Sequence, residues 1–207
     1  EKNYSSASRK QQREFRKHQI IEATIDCIDQ YGLSQTTLAR IAQKSGLTQG
    51  NLVFHIRSKL DVLEQTLEFL NAEYHACLEQ AMSVADSDPI VQLKALIQAY
   101  FHPKVCNRRK ISVWYSFWGE SRSRPKYMQI CGQSDRQVSV KILMLCKQMP
   151  MGQGSHPSAT TAARTIECLM EGLCHDFLIN AQASRSEALR TILELVDSFY
   201  PDPNNMR

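Results

Sequence analysis

Gln49, Asn51 and His55 fall close together in the stretch SGLTQGNLVFHIRSK, residues 45–59, with Thr48, Gly50 and Phe54 among them. Amides, a hydroxyl and an imidazole both donate and accept hydrogen bonds, as the edges of nucleic acid bases require. An apolar ring suits a thymine methyl group. Cationic and ionisable side chains surround the stretch: Arg13, Arg16, Lys17 and His18 precede it, Arg40 lies nearer, and Arg57 and Lys59 follow. Such groups bind phosphate oxygens. This is the chemistry of recognition. Catalysis lacks its usual signs, since there is no Ser/His/Asp order, no phosphate-cradling glycine loop and no pair of carboxylates on a shared helix face.

A second constellation is aromatic. Trp114 and Trp118 recur at i and i+4 and so share a helix face, with Tyr115 and Phe117 beside them and Tyr127 past a turn. Ring faces of this kind attract organic cations, each by about 0.5–2 kcal/mol, most where water is excluded. Glu171 would add a complementary charge, and Cys174 follows it on the same predicted helix. The competing reading is core packing, the commoner fate of a Trp/Phe stripe. Glu171, Cys174 and His175 span one helical turn, but no second His/Cys cluster completes a tetrahedral set. Neither a metal nor another cofactor is expected.

The elements that must position these groups are helices. Apolar residues recur with a period near 3.6 almost throughout, and no stretch alternates as a strand would. The spacing predicts a first helix from about Lys10 to Tyr31, stopped by Gly32, then a second from Thr37 to Gly46. A short third helix runs from Thr48 to about Ile56, with Gly46 at the turn, Leu47 plugging the corner and Thr48 capping. Leu38, Ile41, Ala42, Leu52 and Ile56 face inward. The fourth is long, from near Ser58 toward Ala85, and its first amides together with Lys59 are placed for a phosphate. Further helices are expected over 89–101, through RKISVWYSFWGES until Gly119, along a stripe from Tyr127 to Met149, over 159–183 and over 184–200. A flexible loop is expected at 150–158. That makes nine helices and an all-α fold. Two short helices joined by a tight turn are marginal alone and make sense as a pair docked into a groove. A generic helical corner is the alternative, which the basic neighbours disfavour.

Charge sharpens the division. Residues 1–60 carry ten Lys/Arg against five Asp/Glu, whereas the remainder carries fifteen against sixteen. A basic end on a near-neutral body points to a polyanion partner for that end, with a solvated, disordered tail as the other reading of residues 1–12. The seven cysteines are odd in number and lack a CxxC pair, so they are expected to be reduced and largely buried. No run is long and apolar enough for a membrane span or a secretory signal, which leads to the expectation of a cytoplasmic protein without a membrane partner.

The stretch from Ile20 to Leu67 resembles the DNA-binding domain of the TetR family of transcriptional regulators. The matching positions are Gly32, Thr36, Thr37, Ile41, Ala42, Gly46, Leu47, Thr48, Gly50, Leu52, Ser58 and Lys59. The resemblance implies a helix-turn-helix from Thr37 to Ile56 and a backbone phosphate on Lys59; with the side-chain chemistry, the expected DNA-contacting set is Thr37, Arg40, Thr48, Gln49, Gly50, Asn51, Phe54, His55 and Lys59. The sequence departs from the family at Val53, usually Tyr, and at Ile56, usually aromatic. Farther on, Val113 to Ile130 and ECLMEGL, residues 167–173, resemble the BetI-like branch, whose best-known members respond to choline. Cys174 stands where those members carry Trp. The implied effector contacts are Trp114, Phe117, Trp118, Tyr127, Glu171 and Cys174.

The last two predicted helices offer wide apolar faces that suit pairing with a second copy, through Leu173, Phe177, Leu189, Ile192 and Val196. A homodimer would let two short helices read two half-sites of double-stranded DNA. The expectation is therefore a TetR-like fold: a three-helix DNA-binding domain in residues 1–57 and a ligand-sensing, dimerisation domain in residues 58–207. Its function would be that of a repressor released from a palindromic operator by a small-molecule effector. A small-molecule enzyme or carrier using the aromatic face is the alternative.

Overall fold

The computed structural model describes residues 2–149 and 157–201, with side chains from residue 9 onward. Among the described residues there are nine α-helices and no strand. They are α1 (Lys2–Gln35), α2 (Leu38–Ser45), α3 (Gln49–Val53), α4 (Lys59–Val84), α5 (Pro89–Tyr100), α6 (Arg108–Ser121), α7 (Pro125–Gln148), α8 (Ala159–Ile179) and α9 (Arg185–Phe199). None is long and apolar enough to cross a membrane. The loop expected at 150–158 lies mostly outside the described residues.

Several expectations change in detail. The backbone is already helical at Lys2, so the basic end is an extension of α1 rather than an irregular tail. Gly32 does break α1, with φ 75° and ψ 168°, a conformation costly to any residue with a Cβ. Gly119 does not end α6, which continues to Ser121. A glycine inside a helix costs only about 1 kcal/mol relative to alanine, and neighbouring packing overcomes that. α8 stops at Ile179, four residues before its expected end.

The chain falls into two compact units, divided elsewhere than at residues 57 and 58. One comprises residues 1–70 and 112–130; the other comprises residues 71–111 and 131–207. α4, α6 and α7 each begin in one unit and continue into the other along the chain. A continuous helix carries no linker composition at the point where its packing partners change. The first unit holds a core of Ile20, Ala23, Cys27, Ile41, Ala42, Leu52, Ile56 and Val62, with Leu38 and Leu47 against it. In the second, α9 packs on α5 and α8.

Candidate nucleic-acid interface and effector residues

The helix pair of the first unit is fixed by local chemistry. The Thr37 hydroxyl accepts the N–H of Arg40 at 3.3 Å, capping α2, and the Thr48 hydroxyl accepts that of Asn51 at 3.2 Å, capping α3. Between them Gly46 adopts the left-handed conformation, φ 67° and ψ 20°, while Leu47 N–H reaches back to Ala42 O at 3.0 Å. The Gln19 amide bonds Ser45 O at 2.5 Å and ties the turn to α1. Leu52 and Ile56, 0% and 5% exposed, anchor the short third helix in the core. Five residues could not remain helical on hydrogen bonding alone.

Opposite those anchors the surface is open. Gln49, Gly50 and Asn51 are exposed, His55 is half-buried, and Phe54 is 85% exposed. A phenyl ring so exposed adds little to the core, and its apolar edge suits a methyl-bearing base. Arg40 is restrained: its guanidinium lies 4.2 Å from the centroid of the Tyr31 ring and donates to Gln35 O. Lys59 donates to Ser34 O at 3.0 Å, so a phosphate there would have to share or displace that bond. Two amides at the start of α4 are also engaged. Arg57 N–H binds the Asp61 carboxylate at 2.8 Å, and Asp61 N–H binds the Ser58 hydroxyl at 3.1 Å. This reciprocal cap occupies part of the anion site expected at that terminus.

The six expected effector residues divide between the units. Trp114, Phe117, Trp118 and Tyr127 belong to the first; Glu171 and Cys174 belong to the second. Phe117 and Tyr127 are both 0% exposed and meet edge to face, centroids 5.0 Å apart and planes at 88°. They are core rings, whereas Trp114 and Trp118 remain half-buried. The Tyr127 hydroxyl, although buried, has no hydrogen-bond partner among the described residues. Burial raises its pKa, and Arg124, 5.6 Å above the ring, partly opposes that.

In the second unit Glu171 and Cys174 have companions that sequence spacing did not bring forward. Asp135 on α7 keeps an open edge to solvent, yet enclosure by protein and then the charge of Glu171 push its carboxyl up to about 6. Tyr74 lies near both Asp135 and Cys174, and its hydroxyl is raised by burial and by those neighbours. The Tyr74 and Tyr100 rings meet edge to face at 6.0 Å. Two carboxylates and two tyrosine rings make this an environment for positive charge. The one signal in the sequence was a carboxylate beside Ser134, on the inward stripe of α7.

Comparison with known proteins decides the family. Residues 20–66 match the family described as bacterial regulatory proteins, tetR family, and residues 89–201 match the BetI-type transcriptional repressor, C-terminal. The chain belongs to the TetR family, in its BetI-type branch. It is 27% identical over 187 residues to the HTH-type transcriptional regulator BetI of Stenotrophomonas maltophilia, covering 88% of this chain and 91% of that protein. The BetI of Paraburkholderia xenovorans is also 27% identical, with 89% and 93% covered. In fold, the chain is similar to a transcriptional regulator from Saccharomonospora viridis in complex with choline. The TM-score is 0.74 at 19% identity, with 87% of this chain and 95% of that one covered. A regulator from Pseudomonas aeruginosa gives a TM-score of 0.72 at 20% identity, covering 89% and 90%.

This TetR-family chain is thus a transcriptional regulator and not an enzyme, and α2 and α3 are its helix-turn-helix. Regulators of the family bind DNA operators and small-molecule effectors, typically as dimers. The departure at Val53 leaves an apolar side chain, 55% exposed, where a hydroxyl is usual. The expected pairing face also narrows. Ile192 and Val196 are each 0% exposed within a single protomer, so they belong to its own core and cannot meet a partner. Leu173, Phe177 and Leu189 are half-buried and remain available, Phe177 with the Arg108 guanidinium 4.7 Å from its ring.

Proposed function

We propose that this regulator is a homodimeric repressor that reads a palindromic operator through the exposed face of α3 and releases it on binding an organic cation. The observation that carries the operator reading is the two-sided α3. Leu52 and Ile56 are sealed in the core, while Gln49, Gly50, Asn51 and Phe54 face solvent. Gln49 and Asn51 are suited to adenine, Phe54 to a thymine methyl, and Arg40, His55 and the hydroxyls of Thr37 and Thr48 to phosphates or base edges. Lys59 would join them by exchanging Ser34 O for a phosphate oxygen. Pairing of two copies through Leu173, Phe177 and Leu189 would set the separation of the two reading helices.

The effector reading rests on the Asp135 and Glu171 carboxylates with the Tyr74 and Tyr100 rings around them. An organic cation of the size of choline matches such surroundings by charge and by cation–π attraction. It releases DNA only in so far as it binds the released conformation more tightly than the DNA-bound one. The test is footprinting and fluorescence anisotropy on DNA flanking the regulator's own gene, at stepped salt and with added quaternary ammonium ions. We expect a protected palindrome, an affinity that falls steeply with salt, and release by the cation. Absence of protection at moderate salt would overturn the operator reading; protection indifferent to any cation would overturn the effector reading.

A further inference from the structure

The first helix overruns its own core. From residue 9 to residue 19 no side chain of α1 is buried, and burial begins at Ile20. Eleven residues without a buried side chain gain little from packing, and the anchored remainder of α1 is what nucleates them as helix. This overhang carries a large share of the charge. Arg9, Lys10, Arg13, Arg16 and Lys17 stand against Glu14 alone, which leaves the segment with the same net charge, +4, as the whole chain.

The charges are not scattered. At 3.6 residues per turn the five basic side chains fall within an arc of about 120° and extend about 12 Å along the axis, with Gln11, Glu14 and Phe15 outside it. Like charges at helical spacings of three and four repel one another. Among the described residues no ion pair relieves Arg9, Lys10, Arg13 or Lys17, although Glu14 is within reach of two of them along the helix. Arg16 donates to Gln19 Oε1 at 2.8 Å. The arrangement does nothing for folding and costs it a little.

The arc also has a direction. Ile20 and Cys27 follow Arg9 by roughly three and five full turns, so the three share one line along α1. Ile20 and Cys27 pack with Ile41, Ala42 and Leu52, so the basic arc prolongs the side of α1 that faces α2 and α3. The overhang begins beside the turn of the helix pair, where the Gln19 amide bonds Ser45 O.

We propose that the basic face of α1 is a second DNA-binding surface, which holds the phosphate backbone of double-stranded DNA without regard to sequence. The proposal rests on the operator reading for its setting, since the DNA it holds is the continuation of the duplex that α3 reads. Guanidinium and ammonium groups lacking a protein acceptor are suited to phosphate oxygens. A DNA strand carries one phosphate per about 3.4 Å of helix axis, so an arc about 12 Å long spans three or four of them. Between residues 9 and 19 the arc holds no amide, hydroxyl or apolar group with which to tell one base from another.

The test compares the full wild-type chain with the triple variant Arg9→Gln, Arg13→Gln, Lys17→Gln by fluorescence anisotropy at stepped salt. Two duplexes serve as probes: DNA flanking the regulator's own gene and DNA of unrelated sequence. The variant should lose affinity for both by the same factor, and its slope of log affinity against log salt should shrink by about two to three, at about 0.9 per phosphate contact. Its urea midpoint should not move, because none of the three side chains is buried. Arg13→Gln and Gln11→Glu change the net charge equally on opposite sides of the helix; the first should weaken binding about fivefold at about 0.1 M salt and the second less than about twofold. An unchanged salt slope in the triple variant, or equal weakening by the two single variants, would overturn the proposal. Should the wild-type chain bind both duplexes equally well, the operator reading would fall, while the salt slopes would still decide the role of α1.

Discussion

The first unit sets its candidate recognition groups apart in water, and the second brings its charged and aromatic groups within reach of one another. On α3 the side chains proposed to read DNA are exposed, and the buried Leu52 and Ile56 anchor the helix beneath them. Around α8 the arrangement differs: Asp135, Glu171, Cys174 and Tyr74 act on one another, so that proton affinities shift. A long, grooved polyanion must be met on a surface, where charge is screened and each contact is weak. A small cation can be met by several groups that converge on it, and electrostatic effects grow stronger wherever those groups exclude water. The contrast predicts that substitutions on the face of α3 alter binding without altering stability, whereas substitutions around α8 alter both.

The largest effect should come from removing the foundation of the reading surface. Leu52→Ala takes a side chain of 0% exposure out of the core and should cost about 2–5 kcal/mol of stability, measured by urea unfolding. If DNA affinity survived that change in full, the dependence of α3 on its anchor would be refuted. Asn51→Ala and Gln49→Ala come next. Each should weaken operator binding by about 1–3 kcal/mol by anisotropy, with the unfolding midpoint unchanged, because neither side chain is buried. A matching loss of stability would break the contrast between the units.

The smallest effect is a dependence on pH. Burial, and then the charge of Glu171, raise the Asp135 carboxyl from 3.8 to about 6, so the folded chain holds this proton more tightly than the unfolded chain does. The stability it contributes is complete below 3.8 and is lost as pH climbs through 6. Above 6 the Asp135 carboxylate is negative, and a cationic effector should bind best there. Asp135→Asn should therefore flatten the stability profile between pH 4 and 6. It should also weaken a quaternary ammonium ligand several-fold at pH 7.5 while leaving its affinity at pH 5 nearly unchanged, by calorimetry. Equal weakening at both values would remove Asp135 from the effector site.

The helix-turn-helix was legible in the sequence because its determinants are local: Gly46 for the left-handed turn, Thr37 and Thr48 for the caps, Leu52 and Ile56 at helical spacing. The second unit was legible only as helices. Asp135 feels Glu171, and Tyr74 meets Tyr100, across stretches of chain that no period connects. Ile192 and Val196 show the same limit from another side. An apolar stripe states that it will be covered, not whether its own protomer or a second copy covers it. The boundary near residue 57 followed a change of composition, but packing divides the chain inside the unbroken α4.

A five-residue α3 anchored by two side chains separates lettering from masonry. The outward positions 49, 50, 51 and 54 can be rewritten one at a time while the inward pair stays constant. On the proposed reading of the operator, descendants of such a protein can drift to new genomic addresses in single steps, each with its core intact. A family built this way diversifies through what it addresses long before it changes how it is built.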